Sequence, residues 1–156
     1  MKLRHPRLIG VVVALVVSLA SVTASAMAVE TPFKGTVNAV ETSQVVFPIA
    51  SVTRNGGGTA TYLGKFTEHN TMQINVLTRH GIGAATFTAA NGDTLTATVD
   101  GQATPTSPGV LSIVEVYTVT GGTGRFADAT GSFTLESTLN QATGVSSGTL
   151  SGAIDH

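Results

Sequence analysis

Along most of the chain, apolar and polar residues alternate with a period of two, the pattern of strands that bury one face. It is clearest at 72–80, where Met72, Ile74 and Val76 alternate with Gln73 and Asn75. It is equally clear at 94–102, where Leu95, Ala97 and Val99 oppose Thr94, Thr96 and Thr98. The same pattern predicts strands at 33–40, 59–68, 84–90, 111–120, 131–139 and 145–154, with a further short one at 44–47. Pro48 argues against a regular central strand there, because proline cannot donate to a ladder. Asn55-Gly56-Gly57-Gly58 reads as a flexible loop, His69-Asn70 as a tight turn, and 104–109 as a loop by composition. Gly64 predicts a bulge or bend inside its strand, and Gly81 and Gly83 a kink between two others. Asn91-Gly92 predicts a two-residue type I′ hairpin, in which both central residues take positive φ. No window of helical length shows an apolar period of 3.6.

Seven or eight strands joined by short connections must lie antiparallel to their neighbours. The architecture is then a closed barrel or a sandwich. Long strands and interior glycines at 64, 83 and 131 favour the barrel, since tightly curved sheets bend at such positions. The chain also lacks the Cys and Trp pattern of immunoglobulin-type sandwiches.

The first residues change the picture of compartment. Lys2, Arg4 and Arg7 precede an uncharged run from Leu8 to Ala20, and Ala26-Met27-Ala28 is a small-x-small cleavage signal. That is the layout of a secretory signal peptide, expected over residues 1–28. The run gives way to Ser21, Thr23 and Ser25 before reaching the ~20 apolar residues of a membrane span. Cleavage leaves residues 29–156, a length that fits one domain, expected to be secreted into the periplasm or the medium. A chain of that size buries about two-thirds of its unfolded surface and needs no staples, in keeping with the absence of cysteine. The leader holds three of the eight Lys and Arg residues, leaving five against nine acidic residues, a net charge of −4. The remaining cations, Lys34, Arg54, Lys65, Arg79 and Arg125, are scattered. No basic stripe suits nucleic acid or an anionic membrane surface.

Val119-Thr-Gly-Gly-Thr-Gly-Arg-Phe126, with Ala129 and Gly131 after it, resembles the allene oxide cyclase and dirigent families. Members of both carry a Gly-Gly-Thr-Gly-x-Phe turn after a strand and a glycine a few residues on. The segments 59–66 and 86–93 are similar to parts of small secreted bacterial proteins related to that barrel. The resemblance implies a closed eight-stranded antiparallel barrel, often a homotrimer, whose pocket shapes a reactive small molecule without metal or organic cofactor. The specific match covers about twenty residues, so no catalytic residue is carried over from it.

Among single residues, Glu115 stands out. Alternation puts it on one face with Leu111, Ile113, Tyr117 and Val119. A carboxylate on an apolar face must be paired, hydrogen-bonded or protonated. If that face lines the barrel, Glu115 can act as a general acid or base or hold a polar ligand group. Otherwise it points outward beside Arg125 or another cation, or a bulge flips the register. Tyr117, Tyr62, Phe66 and His80 are the candidate ligand contacts, each also readable as an ordinary core or satisfied residue. The opposite face of 111–120 is half apolar as well, which fits a partner subunit. His69, His80 and His156 have no ligand-like spacing, so no metal site is expected. No cysteine is present for nucleophilic hydrolysis. Gly121, Gly122 and Gly124 lie between strands with no Lys-Ser/Thr after them, so they read as a structural turn rather than a phosphate loop. Two functions remain. One is a barrel that binds a hydrophobic small molecule in its lumen or serves as a non-catalytic surface or assembly module. The other is a cofactor-free cyclase, isomerase or dirigent-like enzyme acting on an apolar small molecule.

Overall fold

The computed structural model describes residues 31–156. The predicted signal peptide, residues 1–28, lies outside the described residues. Eight strands follow in order: β1 (Thr31–Val46), β2 (Ile49–Ala60), β3 (Gly64–Asn75), β4 (His80–Ala89), β5 (Thr94–Ser107), β6 (Val110–Gly122), β7 (Thr130–Asn140) and β8 (Val145–Asp155). A single 3-10 turn at Gly124–Phe126 interrupts the series. Each strand pairs antiparallel with the next, and β8 pairs with β1, so the sheet closes on itself. The expected all-β, eight-stranded antiparallel barrel is what the chain forms. Closure leaves no strand edge unpaired.

The two ends of the barrel differ. The β2–β3, β4–β5 and β6–β7 connections gather at one end, with the start of β1 and the end of β8. There Phe33, Phe66, Phe87, Leu95, Phe126 and Phe133 are each at most 3% exposed. Phe87 meets Phe66, Tyr117 and Phe133 edge-on at 5.6 Å, and Tyr117 stacks on Phe133 at 4.8 Å. Burying side chains of this size stabilises the fold by about 1.5–3 kcal/mol each. This aromatic plug is the core. At the other end the lumen stays open.

Several local expectations are corrected. Segment 55–58 is not a loop: it lies within β2, with Asn55 paired to Val40 on one side and His69 on the other. Its glycines are needed because the strands approach closely. A Cβ on Gly58 would lie 1.8 Å from the Thr36 carbonyl oxygen, and one on Gly56 2.5 Å from that of Asn38. The predicted strand 59–68 is divided by a turn, with Tyr62 at φ 66. The turn predicted at His69-Asn70 is mid-strand in β3, and β5 continues to Ser107 through most of the predicted loop. The predicted strand 72–80 stops at Asn75, whose Oδ1 accepts from the backbone N–H of Leu77 at 2.9 Å. The Asn91-Gly92 hairpin exists but is not type I′. Gly92 N–H donates to Ala89 O and Ala89 N–H to Asp93 O, both at 2.9 Å. Among these residues only Gly92 has positive φ, at 90°. That is a three-residue type I turn closed by a left-handed glycine.

Candidate functional site

Above the aromatic plug, four strands bring polar or charged groups together in the lumen. Alternation along β2 points Ala50, Val52 and Arg54 inward. Arg54 stands in register with Glu41 on β1 and Asn70 on β3, so these three side chains meet side by side. Glu68 lies two residues from Asn70 on the same inner face. From β6, Glu115 and Tyr117 enter on the opposite wall. Glycine makes the room: Gly101 faces Glu115 across the β5–β6 pair, and a Cβ there would lie 3.0 Å from Glu115 Cγ.

Arg54 holds the group together. Its Nη1 donates to Glu115 Oε2 at 2.7 Å; Nη2 donates to Glu68 Oε1 at 2.7 Å and also to the Tyr117 hydroxyl. Its Nε donates to Glu68 Oε1 at 3.2 Å. The Tyr117 hydroxyl donates to Glu115 Oε2 at 2.8 Å and accepts from Asn70 Nδ2 at 3.3 Å. Tyr117 has one proton to give, so Asn70 must present its amide N–H there and turn Oδ1 away. Glu41 is 3.9 Å from Arg54 Nη1, too long for a hydrogen bond. Among the described residues, four buried polar atoms have no partner: Glu41 Oε1, Glu68 Oε2, Asn70 Oδ1 and the Ser137 hydroxyl on β7.

The electrostatics follow from burial. Desolvation pushes the Glu41 and Glu68 carboxyls above the ordinary glutamate value, and Arg54 only partly opposes it. Burial likewise holds the Tyr117 phenol well above its usual range, so it stays a neutral donor. Burial lowers the Arg54 guanidinium, but Tyr117, Glu115 and Glu68 raise it by more, so it stays charged.

Over this floor lies a cavity of about 750 Å³. Ala50, Val52, Met72, Ile74, Leu111 and Ile113 form apolar walls; Glu41, Arg54, Asn70 and Glu115 form the polar floor; and Arg79 stands at the mouth. Small-molecule sites are typically apolar hollows of roughly 300–1,000 Å³ with a few convergent polar groups. Chemically, the floor can accept hydrogen bonds from a ligand head group, and its protonatable carboxyls can exchange a proton with it. Among the described residues, no three His, Asp or Glu side chains converge as metal ligands.

The structure places the sequence-predicted residues unevenly. Glu115 is buried and lines the cavity, and its cation is Arg54 rather than Arg125, which lies over the Phe126 ring at 5.0 Å. Tyr117 has its ring in the plug and its hydroxyl in the floor. Phe66 belongs to the plug and does not line the cavity. Tyr62 sits in the β2–β3 turn against His156, with ring centroids 4.4 Å apart. His80 is exposed on the outer face, with Nε2 3.0 Å from Asp100 Oδ1. Sequence reading missed Arg54, Glu41, Glu68 and Asn70. The signal was present in two alternations, Ala50-Val52-Arg54 and Glu68-Asn70-Met72-Ile74, hidden by the supposed loop and turn. No protein family, curated protein or solved structure matches the chain.

Proposed function

We propose that the barrel is a binding cup for an amphipathic small molecule. The apolar walls take the body of the ligand, and the Glu41–Arg54–Asn70–Glu115 floor takes its polar head. The observation that carries this reading is the half-empty lumen: apolar side chains fill one end completely, while the other keeps a cavity of about 750 Å³ above buried, unpartnered acceptors. A barrel with a purely structural role gains nothing from such a floor, because each buried unpartnered polar atom costs about 1–3 kcal/mol. Export by a leader at residues 1–28 fits capture or delivery of a ligand outside the cytoplasm. The test is organic extraction and mass spectrometry of protein purified natively from its source. One bound molecule per chain supports the cup; consistently empty barrels count against it.

A second reading is cofactor-free acid–base chemistry in the same cavity, in line with the resemblance to the allene oxide cyclase and dirigent families. What favours it is that Glu41 and Glu115 both line the cavity, and that burial raises the Glu41 carboxyl above the ordinary glutamate value. For any substrate found, E115Q is expected to abolish turnover while the fold persists. Unchanged turnover removes Glu115 from that chemistry.

A further inference from the structure

We propose that the ligand of the cup carries a cationic head, an ammonium or amidinium group on an apolar body, and that Glu41 and Asn70 receive it, with the Glu68 carboxyl buried behind them. The proposal rests on the lumenal-binding reading above and adds the sign of the head group.

The first argument is charge. On the floor, one guanidinium faces three carboxyl groups, those of Glu41, Glu68 and Glu115. A carboxylate or phosphate head would add a further negative charge to that set. The second argument is the direction of the free hydrogen-bonding capacity. Three of the four buried unpartnered atoms, Glu41 Oε1, Glu68 Oε2 and Asn70 Oδ1, are pure acceptors; the fourth, the Ser137 hydroxyl, does not line the cavity. Asn70 is 1% exposed and lines the cavity, so its carbonyl is a built feature of the site rather than a surface group. Arg54, thirdly, has a single N–H, on Nη1, left for an anion. Its Nε, Nη1 and Nη2 already donate to Glu68, Glu115 and Tyr117. A head group with several N–H donors and a positive charge satisfies the free acceptors and offsets the excess charge together. A bare metal ion fits poorly, since the carboxyls do not converge at ligand spacing and the apolar walls would face an empty volume.

Recognition of this kind is tied to pH. The groups facing the head are Glu41 on β1, Arg54 on β2, Asn70 on β3 and Glu115 on β6, with Glu68 and Tyr117 bonded to Arg54 beneath them. Arg79 stands at the mouth. Binding a cation favours the ionised carboxyls, so affinity should fall as protons are added. Burial raises Glu41 and Glu68 above the ordinary value of 4.5, so the fall begins at higher pH than for exposed glutamates.

The experiment is calorimetric titration with three probes that share one chain: dodecylammonium, dodecanol and dodecanoate. All are used below their micellar concentrations, in about 0.15 M salt to screen surface charge. The expected order is ammonium, then alcohol, then carboxylate, with at least about a tenfold step from alcohol to ammonium. That step should shrink at about pH 5 and in E41Q. Blocking the lumen with A103W should remove ammonium binding. Alcohol or carboxylate binding as tight as the ammonium, or ammonium binding that survives A103W, overturns the cationic proposal and leaves the cup intact. If none of the three binds, the cup itself fails and the proposal falls with it.

Discussion

Replacing Arg54 with methionine removes the one cation of the floor while keeping a long side chain in the lumen. The wild-type arginine is 3% exposed and bonds Glu68, Glu115 and Tyr117. In R54M, Glu68 and Glu115 are buried without a counter-charge. Breaking a buried ion pair by removing one partner costs about 3–5 kcal/mol. Protonation sets a ceiling. Neutralising a glutamate of ordinary value 4.5 at about pH 7 costs about 3.4 kcal/mol, so two carboxyls limit the penalty to about 7 kcal/mol. At about pH 5 the same step costs only about 0.7 kcal/mol each, so most of the penalty should vanish there. A domain of this size has about 5–15 kcal/mol to lose, so R54M is expected to be marginal or unfolded at neutral pH and folded when acidified. The assay is urea denaturation followed by far-UV circular dichroism at both pH values, since the chain has no tryptophan for fluorescence. A loss below about 1 kcal/mol at neutral pH, or an equal loss at both, would refute the picture of a dry floor held by one guanidinium.

Other outcomes follow from the same structure. Glu41 and Glu68 are raised in the folded state, so the folded barrel holds their protons to higher pH than the unfolded chain does. Their contribution is greatest below 4.5 and is lost as pH rises through the folded values. The melting temperature should therefore be higher at about pH 5 than at about pH 8, and E41Q should narrow the difference; a flat profile contradicts the assignment. G58A puts a methyl group 1.8 Å from the Thr36 carbonyl oxygen and should destabilise the barrel by at least about 2 kcal/mol, measured by the same denaturation; a neutral result would mean β1 and β2 can part there. Ile82, Val114 and Val116 are exposed on the outer faces of β4 and β6, where a partner copy was expected. Self-association through them should give a trimer mass in light scattering, and a monomer at micromolar concentration removes that expectation.

The barrel was legible because its signal is local. Strict alternation at 94–102 and 131–139, with short connections, leaves few ways to arrange antiparallel strands. Glu115 was legible for the same reason, as the one charge on an otherwise apolar face. The rest of the floor was not, because glycine carries two meanings. In Asn55–Gly58 it reads as flexibility, yet it serves close strand approach, and the misreading cut Arg54 from its alternation. The His69-Asn70 pair has turn composition, but its ladder partners on β2 and β4 hold it extended. The partner of Glu115 is 61 residues away in sequence, a distance that only barrel closure and register can bridge. His80 lost its predicted inward face because Arg79, at φ 57, resets the register between β3 and β4.

The central claim is that the open half of the lumen is a binding cavity. It is tested most directly by titrating the protein with Nile red, a neutral apolar fluorophore, alongside A103W, whose indole occupies the cavity. Saturable binding of one dye per chain, lost in A103W while its far-UV spectrum is retained, is the expected result. No saturable binding, or binding that A103W leaves unchanged, would contradict the account.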